Sequence, residues 1–412
     1  MRGELGAVGY PTVPLKHVLS KVETGWSPVC EPRLPAFDEW GVLKLSAVTS
    51  GTFIASEAKA FPRQLAPRPA YEVKAGDVLM SRANGVKALV GVACAVRDVR
   101  PRLLLPDLVF RLVPDPSVLN SDFLAIALAS LGMRGQIDAV MRGTSGQYKI
   151  SQADVRKLEV PRVPLREQRR IVAAHAAFER RIAGLQGVLR KLRVAEDALV
   201  LNALDKERVS RWERVRLDSV ASVAAGVTLG SEPVGDGTVE LPYLRVANVL
   251  DGRIDITDVK TVRIIRSSYE RFALRKGDLL LTEGGDLDKL GRGAVWDGRL
   301  EECLHQNHVF RVRCGEHMSP DFLALYTSSA QGRSYFQSVG KQTTNLASIN
   351  STQVKQMQVP VPPREEQESM LRPIQSIRDR QLSMERQIAK LRTVQQGVVE
   401  DLLSGAVHLP VA

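Results

Sequence analysis

Three groups of side chains in this sequence have the types and spacing to do chemistry. Cys303, His305, His308 and Cys314 fall within twelve residues and are the residue types that hold zinc. Their spacing matches no common zinc module, and CLHQNHVFRVR reads as one alternating strand. Structural histidines and buried thiols are therefore the better reading, and no metal site is expected. The second group lies in glycine-bracketed or polar loops. Arg142, Gly143, Thr144, Ser145, Gly146, Gln147, Tyr148 and Lys149 supply cation, hydroxyl, amide and aromatic groups on one flexible stretch. Lys341, Gln342, Thr343, Thr344 and Asn345 supply much the same. Such groups suit nucleic acid: Gln and Asn can bond adenine bidentately, Arg can bond guanine, and Lys or hydroxyls suit phosphate. The plainer alternative is a surface loop that caps the next helix, with Ser151 and Asn350 as capping residues. The third group follows two aligned Gly-Asp turns, Gly76-Asp77 and Gly277-Asp278, which turn chemistry itself explains. Beyond them stand Ser81, Arg82, Asn84 and Lys87 in one place, and Thr282, Glu283 and Arg292 in the other. Arg82 aligns with Glu283, and a carboxylate can accept from cytosine but repels phosphate, so the two would suit different bases.

What is missing narrows the class. No GxxxxGK[ST] phosphate loop, no Asn/Asp-Pro-Pro-aromatic motif and no glycine-rich cofactor loop after a strand is present. Pro320-Asp321 with Gln353-Val354-Lys355 faintly resembles a nuclease constellation, but Asp321 is better explained as a helix start, and Asp122 lacks the same context. No catalytic residue and no bound cofactor is expected. Net charge is +11 with a pI near 9.6, which favours a polyanionic partner through release of the counterions condensed on phosphates. Hydrophobic residues at 44% and charged ones at 25% describe an ordinary soluble globular protein. No apolar run approaches the ~20 residues of a membrane span, and MRGELGAVGY lacks the apolar core of a signal peptide. A cytoplasmic protein without a membrane partner is expected. Four cysteines without a CxxC pair fit a reducing compartment.

The elements that must position these groups are written twice. Val13 to Gly25 matches Val215 to Gly226, LKLSAV matches LRVANV, and YEVKAGDVLMSR matches FALRKGDLLLTE. LPDLVFRLV matches HQNHVFRVR, SDFLAIALAS matches PDFLALYTSS, and KISQADVRKLEVPRVPLREQ matches SINSTQVKQMQVPVPPREEQ. A period of about 200 residues is too long for a solenoid and signals a duplicated domain. Within each copy, short β-patterned runs alternate with Gly, Pro, Asn and Asp, and DFLAIALAS and DFLALYTSS open as helices should. Each copy therefore reads as a compact mixed α/β domain followed by a long helix, with Pro164 and Pro362-Pro363 just before the helix starts.

Those helices carry a narrow seam. Ile171, His175, Phe178, Ile182, Leu185, Leu189, Leu192, Glu196, Leu199 and Ala203 recur at alternating steps of four and three. At an offset of 199 stand Met370, Ile374, Ile377, Gln381, Met384, Ile388, Leu391, Gln395, Val398 and Leu402. Such a stripe packs one helix against another, and two in the same frame predict that they pack on each other. An ordinary amphipathic helix on a domain surface is the alternative. The first helical region, about Glu167 to Asp205, would be roughly 55 Å long. If both ends of the second domain lie together, the helices run antiparallel, with the residues before Val13 and the tail after Leu403 meeting near the first domain. Pro373 should kink or restart the second helix. The polar seam residues His175, Glu196, Gln381 and Gln395 set register or lie at a partly exposed crossing. The expected fold is α+β: two mixed α/β domains separated by two long antiparallel coiled-coil helices, an internal repeat with an approximate two-fold axis. The boundaries are 1–165, 166–207, 208–362 and 363–412.

VPRVPLREQRRIV and VPVPPREEQESML, each opening a long helix after a GD-containing β-rich domain, resemble the conserved helical regions of specificity subunits of Type I restriction-modification enzymes. DLLSGAVHL is similar to that family's usual ending, and the resemblance covers nearly all of the chain. It implies a non-catalytic reader of double-stranded DNA. Each domain would be a target-recognition domain for one half of a bipartite, asymmetric sequence. The paired helices would act as a ruler and dock two methyltransferase subunits, and two translocating nuclease subunits can join. S-adenosylmethionine, ATP and Mg would then belong to those partners alone. The DNA contacts are expected from Arg82, Asn84, Lys87, Arg142, Thr144, Ser145, Gln147, Tyr148 and Lys149, and from Thr282, Glu283, Arg292, Lys341, Gln342, Thr343, Thr344 and Asn345. The rival reading is a self-contained DNA methyltransferase or nuclease with duplicated domains.

Overall fold

A computed structural model describes residues 9–143, 146–230, 233–342 and 347–407, apart from the side chain of Asp288. The chain forms two compact units: Met1–Gln186 with Arg386–Ala412, and Gly187–Glu385. Each unit therefore draws its share of the long helices from both halves of the sequence.

In the first unit the central sheet has four antiparallel strands in the order Leu19–Thr24, Val109–Pro114, Val78–Ser81, Ala93–Ala95. The run VLMS is buried at every position because the sheet is covered on both faces. Val78 and Met80 join the core that includes Phe110, Phe123 and Leu124, while Leu79 joins Leu43, Val48 and Leu103 on the other side. A second sheet of Ala58–Ala60, Gly41–Leu43 and Leu103–Leu104 completes that opposite layer. Gly25 is required where the chain leaves the central sheet, since a Cβ there would lie 1.8 Å from the Leu105 carbonyl oxygen.

The second unit repeats this plan. Its central sheet runs Ala221–Ala225, Val309–Cys314, Leu279–Thr282, Gly293–Val295, and its second sheet runs Lys260–Ile265, Thr238–Leu244, Leu304–His305. Leu279 and Leu281 face the core with Phe310 and Phe322, and Leu280 faces the one with Trp296. The Gly-Asp turns feed these buried strands: Asp77 Oδ2 accepts from Lys74 N–H at 2.9 Å, and Asp278 Oδ2 accepts from Arg275 N–H at 2.7 Å. Both glycines take φ of +93°, a conformation open to glycine at little cost.

CLHQNHVFRVR is not one strand. Leu304–His305 and Val309–Cys314 belong to different sheets, with a bridge from Gln306 to Val227 and a turn at 307–308 between them. Asn307 N–H donates to the Val227 carbonyl at 2.9 Å, and Val227 N–H to the His305 carbonyl at 2.7 Å, so the segment between the two strands is held by Val227. Among the described residues no cluster of three or more His, Cys, Asp or Glu could hold a metal. His305 is buried with Nδ1 2.7 Å from the Val309 carbonyl oxygen, and burial lowers its pKa to about 4.

Each domain is closed by a two-stranded clip. Thr12–Pro14 pairs antiparallel with Glu159–Pro161, and Arg214–Arg216 pairs with Gln358–Pro360. These are the sequence-repeated VP segments. The chain thus leaves each domain where it entered.

The long helices span Leu165–Ala203 and Arg364–Ser404. Within the second unit Glu196 accepts from Arg378 Nε at 2.6 Å and from Gln381 Nε2 at 2.9 Å, and Arg193 Nη2 meets Glu385 at 3.1 Å. Numbers rise along one helix as they fall along the other, so the pair is antiparallel there. In the first unit Gln395 Nε2 donates to Glu179 Oε1 at 2.7 Å, and Ile171 packs in one core with Val399 and Leu402. That is the same sense. No seam position from Ile171 to Ala203 or from Met370 to Leu402 is exposed, whereas most positions between them are. Gly9 lies so close to the second helix that a Cβ would stand 2.6 Å from the Ser404 carbonyl oxygen, bringing the chain's early and late residues together in the first unit.

The second helix runs through Pro373 without a restart. The proline is exposed, so the carbonyl left without an N–H partner can be met by water. Among the described residues no single helix is long and apolar enough to cross a membrane.

One polar residue per repeat locks helix to domain. Gln168 Oε1 accepts from Asn120 N–H at 2.8 Å while its Nε2 donates to the carbonyls of Val118 at 2.9 Å and Val163 at 2.8 Å. Gln367 accepts from Ser319 N–H at 2.8 Å and donates to His317 at 2.8 Å and Pro362 at 2.7 Å. Asn120 and Ser319 are themselves the N-caps of the helices Ser121–Leu128 and Pro320–Ser328, whose first turns hold Asp122 and Asp321.

Candidate nucleic-acid interface

The two polar groups that lie some sixty residues apart in sequence are joined in space in each domain. In the first, Ala83–Asn84 pairs antiparallel with Tyr148–Lys149, setting Asn84 opposite Tyr148 and Ala83 opposite Lys149. Arg142 and Lys149 then exchange backbone hydrogen bonds at 2.9 and 2.8 Å, and Ile150 N–H donates to the Arg82 carbonyl at 3.0 Å. Gly143 makes the turn possible: its φ is +131°, and a Cβ would sit 2.1 Å from the Gln147 carbonyl oxygen. In the second domain, Gly284–Gly285 pairs with Ala347–Ser348, which pairs in turn with Lys341–Gln342. Ile349 N–H donates to the Glu283 carbonyl at 2.9 Å, matching the bond from Ile150 to Arg82.

The side chains at these edges divide. Lys87, Arg142, Gln147, Lys149, Lys341 and Gln342 are exposed. Arg142 reaches back toward Asp154 at 3.4 Å. Hydrogen bonding from Ser151, ahead of the burial that opposes it, holds the Asp154 carboxyl below its ordinary range. Arg82 sits with its guanidinium carbon 5.7 Å from the Phe110 ring centroid, half-buried. Asn84 is occupied locally, its Oδ1 accepting from Val86 N–H at 2.8 Å. Tyr148 packs its ring against the first core, so it supports the edge more than it lines it. Arg292 is half-buried, with Nε lacking a hydrogen-bond partner among the described residues.

Two residues depart from the sequence expectation of surface contact. Thr282 is 1% exposed and Ser81 is fully buried, because both end strands covered on two faces. Neither side chain reaches the edge. Thr144, Ser145, Thr343, Thr344 and Asn345 lie outside the described residues. Ser151 and Asn350 cap the next helices, each in a reciprocal capping box, with Asp154 and Gln353 respectively. The capping role and the exposed edge thus coexist in consecutive residues.

His308, expected from the sequence to be a structural histidine, belongs to this edge. Its Nδ1 lies 2.5 Å from Glu283 Oε2, at the base of the second domain's edge. The signal was available in the repeat, where Arg82 and Leu108 of one copy become Glu283 and His308 of the other, a concerted exchange.

Comparison with known proteins agrees with this architecture. Residues 209–392 match the family described as Type I restriction modification DNA specificity domain. The Type I restriction enzyme EcoEI specificity subunit of Escherichia coli is 31% identical over 173 residues, which are 42% of this chain and 29% of that protein. The EcoKI specificity subunit of Escherichia coli K12 is 22% identical over 391 residues, 88% of this chain and 82% of that protein. The chain thus spans under a third of the first relative and most of the second. Among solved structures, a chain from work on complex assembly and conformational transition of the type I R-M system aligns over 97% of this chain and 98% of its own length. Identity there is 19% and the TM-score 0.59, so the fold is shared. The specificity-domain match falls on the second repeat, and the first repeat carries the same sheet plan. The chain is thus similar to Type I restriction-modification specificity subunits, by family match over residues 209–392 and by these relatives.

Proposed function

We propose that this chain is a non-catalytic DNA specificity subunit whose two domains read the two halves of a bipartite, asymmetric duplex target. The paired helices set the spacing between half-sites and dock two methyltransferase subunits, with two translocating nuclease subunits able to join. S-adenosylmethionine, ATP and Mg act in those partners. The relatives' names as specificity subunits support the reading. The observation that carries it is the convergence of sequence-distant polar segments onto one exposed edge per domain. A structural loop would have no need to bring Lys87, Arg142, Gln147 and Lys149 together in a chain of net charge +11.

Arg82, Asn84, Lys87, Arg142, Gln147 and Lys149 make the first contact surface, with Tyr148 bracing it. Glu283, Arg292, Lys341 and Gln342 make the second. Thr144, Ser145, Thr343, Thr344 and Asn345 continue the same loops in sequence. Because Arg82 is matched by Glu283, the two half-sites differ.

The test is binding of the purified chain to duplex DNA across a salt series. Contact with about six phosphates gives a log–log slope near −5. Absence of binding, or methyl transfer or cleavage by the chain alone with S-adenosylmethionine and magnesium, would overturn the proposal.

A further inference from the structure

We infer that His308 and Glu283 form a base-reading pair in the second domain, the imidazole holding the carboxylate to accept from the exocyclic amino group of a cytosine or an adenine. The inference rests on the DNA-reading function proposed above and deepens it for one side-chain pair.

Geometry comes first. His308 Nδ1 and Glu283 Oε2 are 2.5 Å apart, with the two side chains 54% and 29% exposed. Their backbones are fixed on both sides: Glu283 N–H donates to the His308 carbonyl at 3.0 Å, and Ile349 N–H donates to the Glu283 carbonyl at 2.9 Å. An Nδ1–H directed at Oε2 leaves Oε1 and the imidazole Nε2 facing outward from the pair. The carboxylate is thereby oriented without being used up.

Charge then says what it can meet. A carboxylate at the edge of a DNA-binding surface repels phosphate, so a backbone contact is excluded. In the major groove the only base donors are the amino groups of cytosine N4 and adenine N6, since guanine and thymine present acceptors there. An acceptor-only side chain therefore selects cytosine or adenine.

The internal repeat supplies the third argument. Arg82 N–H donates to the Leu108 carbonyl at 2.8 Å, and Ile150 N–H donates to the Arg82 carbonyl at 3.0 Å. The backbone frame is the same in both domains while both side chains have changed together. An arginine needs no histidine to hold it and has leucine beside it. A glutamate has a histidine in place of that leucine. A histidine–glutamate hydrogen bond serving stability alone has no reason to occupy the very position where the other domain carries a cation.

The test uses the full chain assembled with its methyltransferase subunits in a host, with methylated sites read by sequencing the genome. The variants are Glu283→Ala, His308→Leu (the residue of the first domain) and His308→Gln, whose amide can still donate to Oε2. A single base pair of one half-site loses roughly 5- to 150-fold of its discrimination in Glu283→Ala and His308→Leu. The other half-site is unchanged, and His308→Gln retains most of the selectivity, which a merely structural histidine would not predict. An unchanged site pattern, or equal loss at every site, would overturn the pairing. If the parent assembly marks no defined sequence, the DNA-reading function fails on its own, before any variant is compared.

Discussion

Replacing Gln367 by leucine tests whether the helix-to-domain lock is a structural necessity. The side chain is fully buried and makes three hydrogen bonds, to Ser319 N–H and to the carbonyls of His317 and Pro362. Leucine fits the volume but strands the buried Ser319 donor and Pro362 acceptor and removes the partner of the part-buried His317 carbonyl. Each stranded group costs about 1–3 kcal/mol, and burial of the apolar side chain offsets roughly 2 kcal/mol of the total. A net loss of about 4 kcal/mol is expected. In a unit of this size that lowers the transition by roughly 10 °C. Calorimetry of the full chain should show the transition of the second unit moving, while Gln168→Leu moves that of the first. A loss below about 1 kcal/mol in either variant would refute the reasoning, because it would mean the stranded groups find other partners.

The remaining expectations use the same structure. Gln395→Leu should be neutral or stabilising by up to about 1 kcal/mol in urea melts, since its partner Glu179 is exposed and can turn to water. Gly291→Ala should cost about 3 kcal/mol by the same measurement: φ is +66° and a Cβ would lie 2.2 Å from Phe336. His305 ties stability to pH. Burial holds its pKa at about 4 against an ordinary 6.5, so the unfolded chain binds the proton first and stability falls as pH drops from about 6.5 to 4. The loss is about 3 kcal/mol, and His305→Leu, the residue found at position 105 of the first domain, should abolish that part of the slope.

Local patterns made much of this fold legible. The alternating four-three spacing picked out seam positions that all proved unexposed, and Pro164 and Pro363 immediately precede Leu165 and Arg364, where the long helices begin. The helix direction followed from the expectation that both ends of the second domain lie together, and the VP segments do close each domain on its own entry strand. What escaped was non-local. Nothing in residues 82–87 announces that they pair with 148–149, and no local rule tells Thr282, at the end of a strand covered on two faces, from Glu283 beside it. Asn307 broke an apparent alternation through a bond to Val227, eighty residues earlier. At Pro373 the helix does not restart, because a single missing donor on an exposed helix face is tolerable when the rest of the helix is packed. The Glu-Gln of the helix starts was visible as a repeat, yet its meaning lay in backbone groups some fifty residues away.

The clips formed by Thr12–Pro14 with Glu159–Pro161 and by Arg214–Arg216 with Gln358–Pro360 have an evolutionary consequence. Under the proposed function, everything that distinguishes one target from another hangs from a doorway three residues wide on each side, so a recombination event between the two jambs would transplant a complete reader and leave the supporting frame intact. New specificities can then arise by exchange of whole cassettes, without a gradual walk through half-functional intermediates.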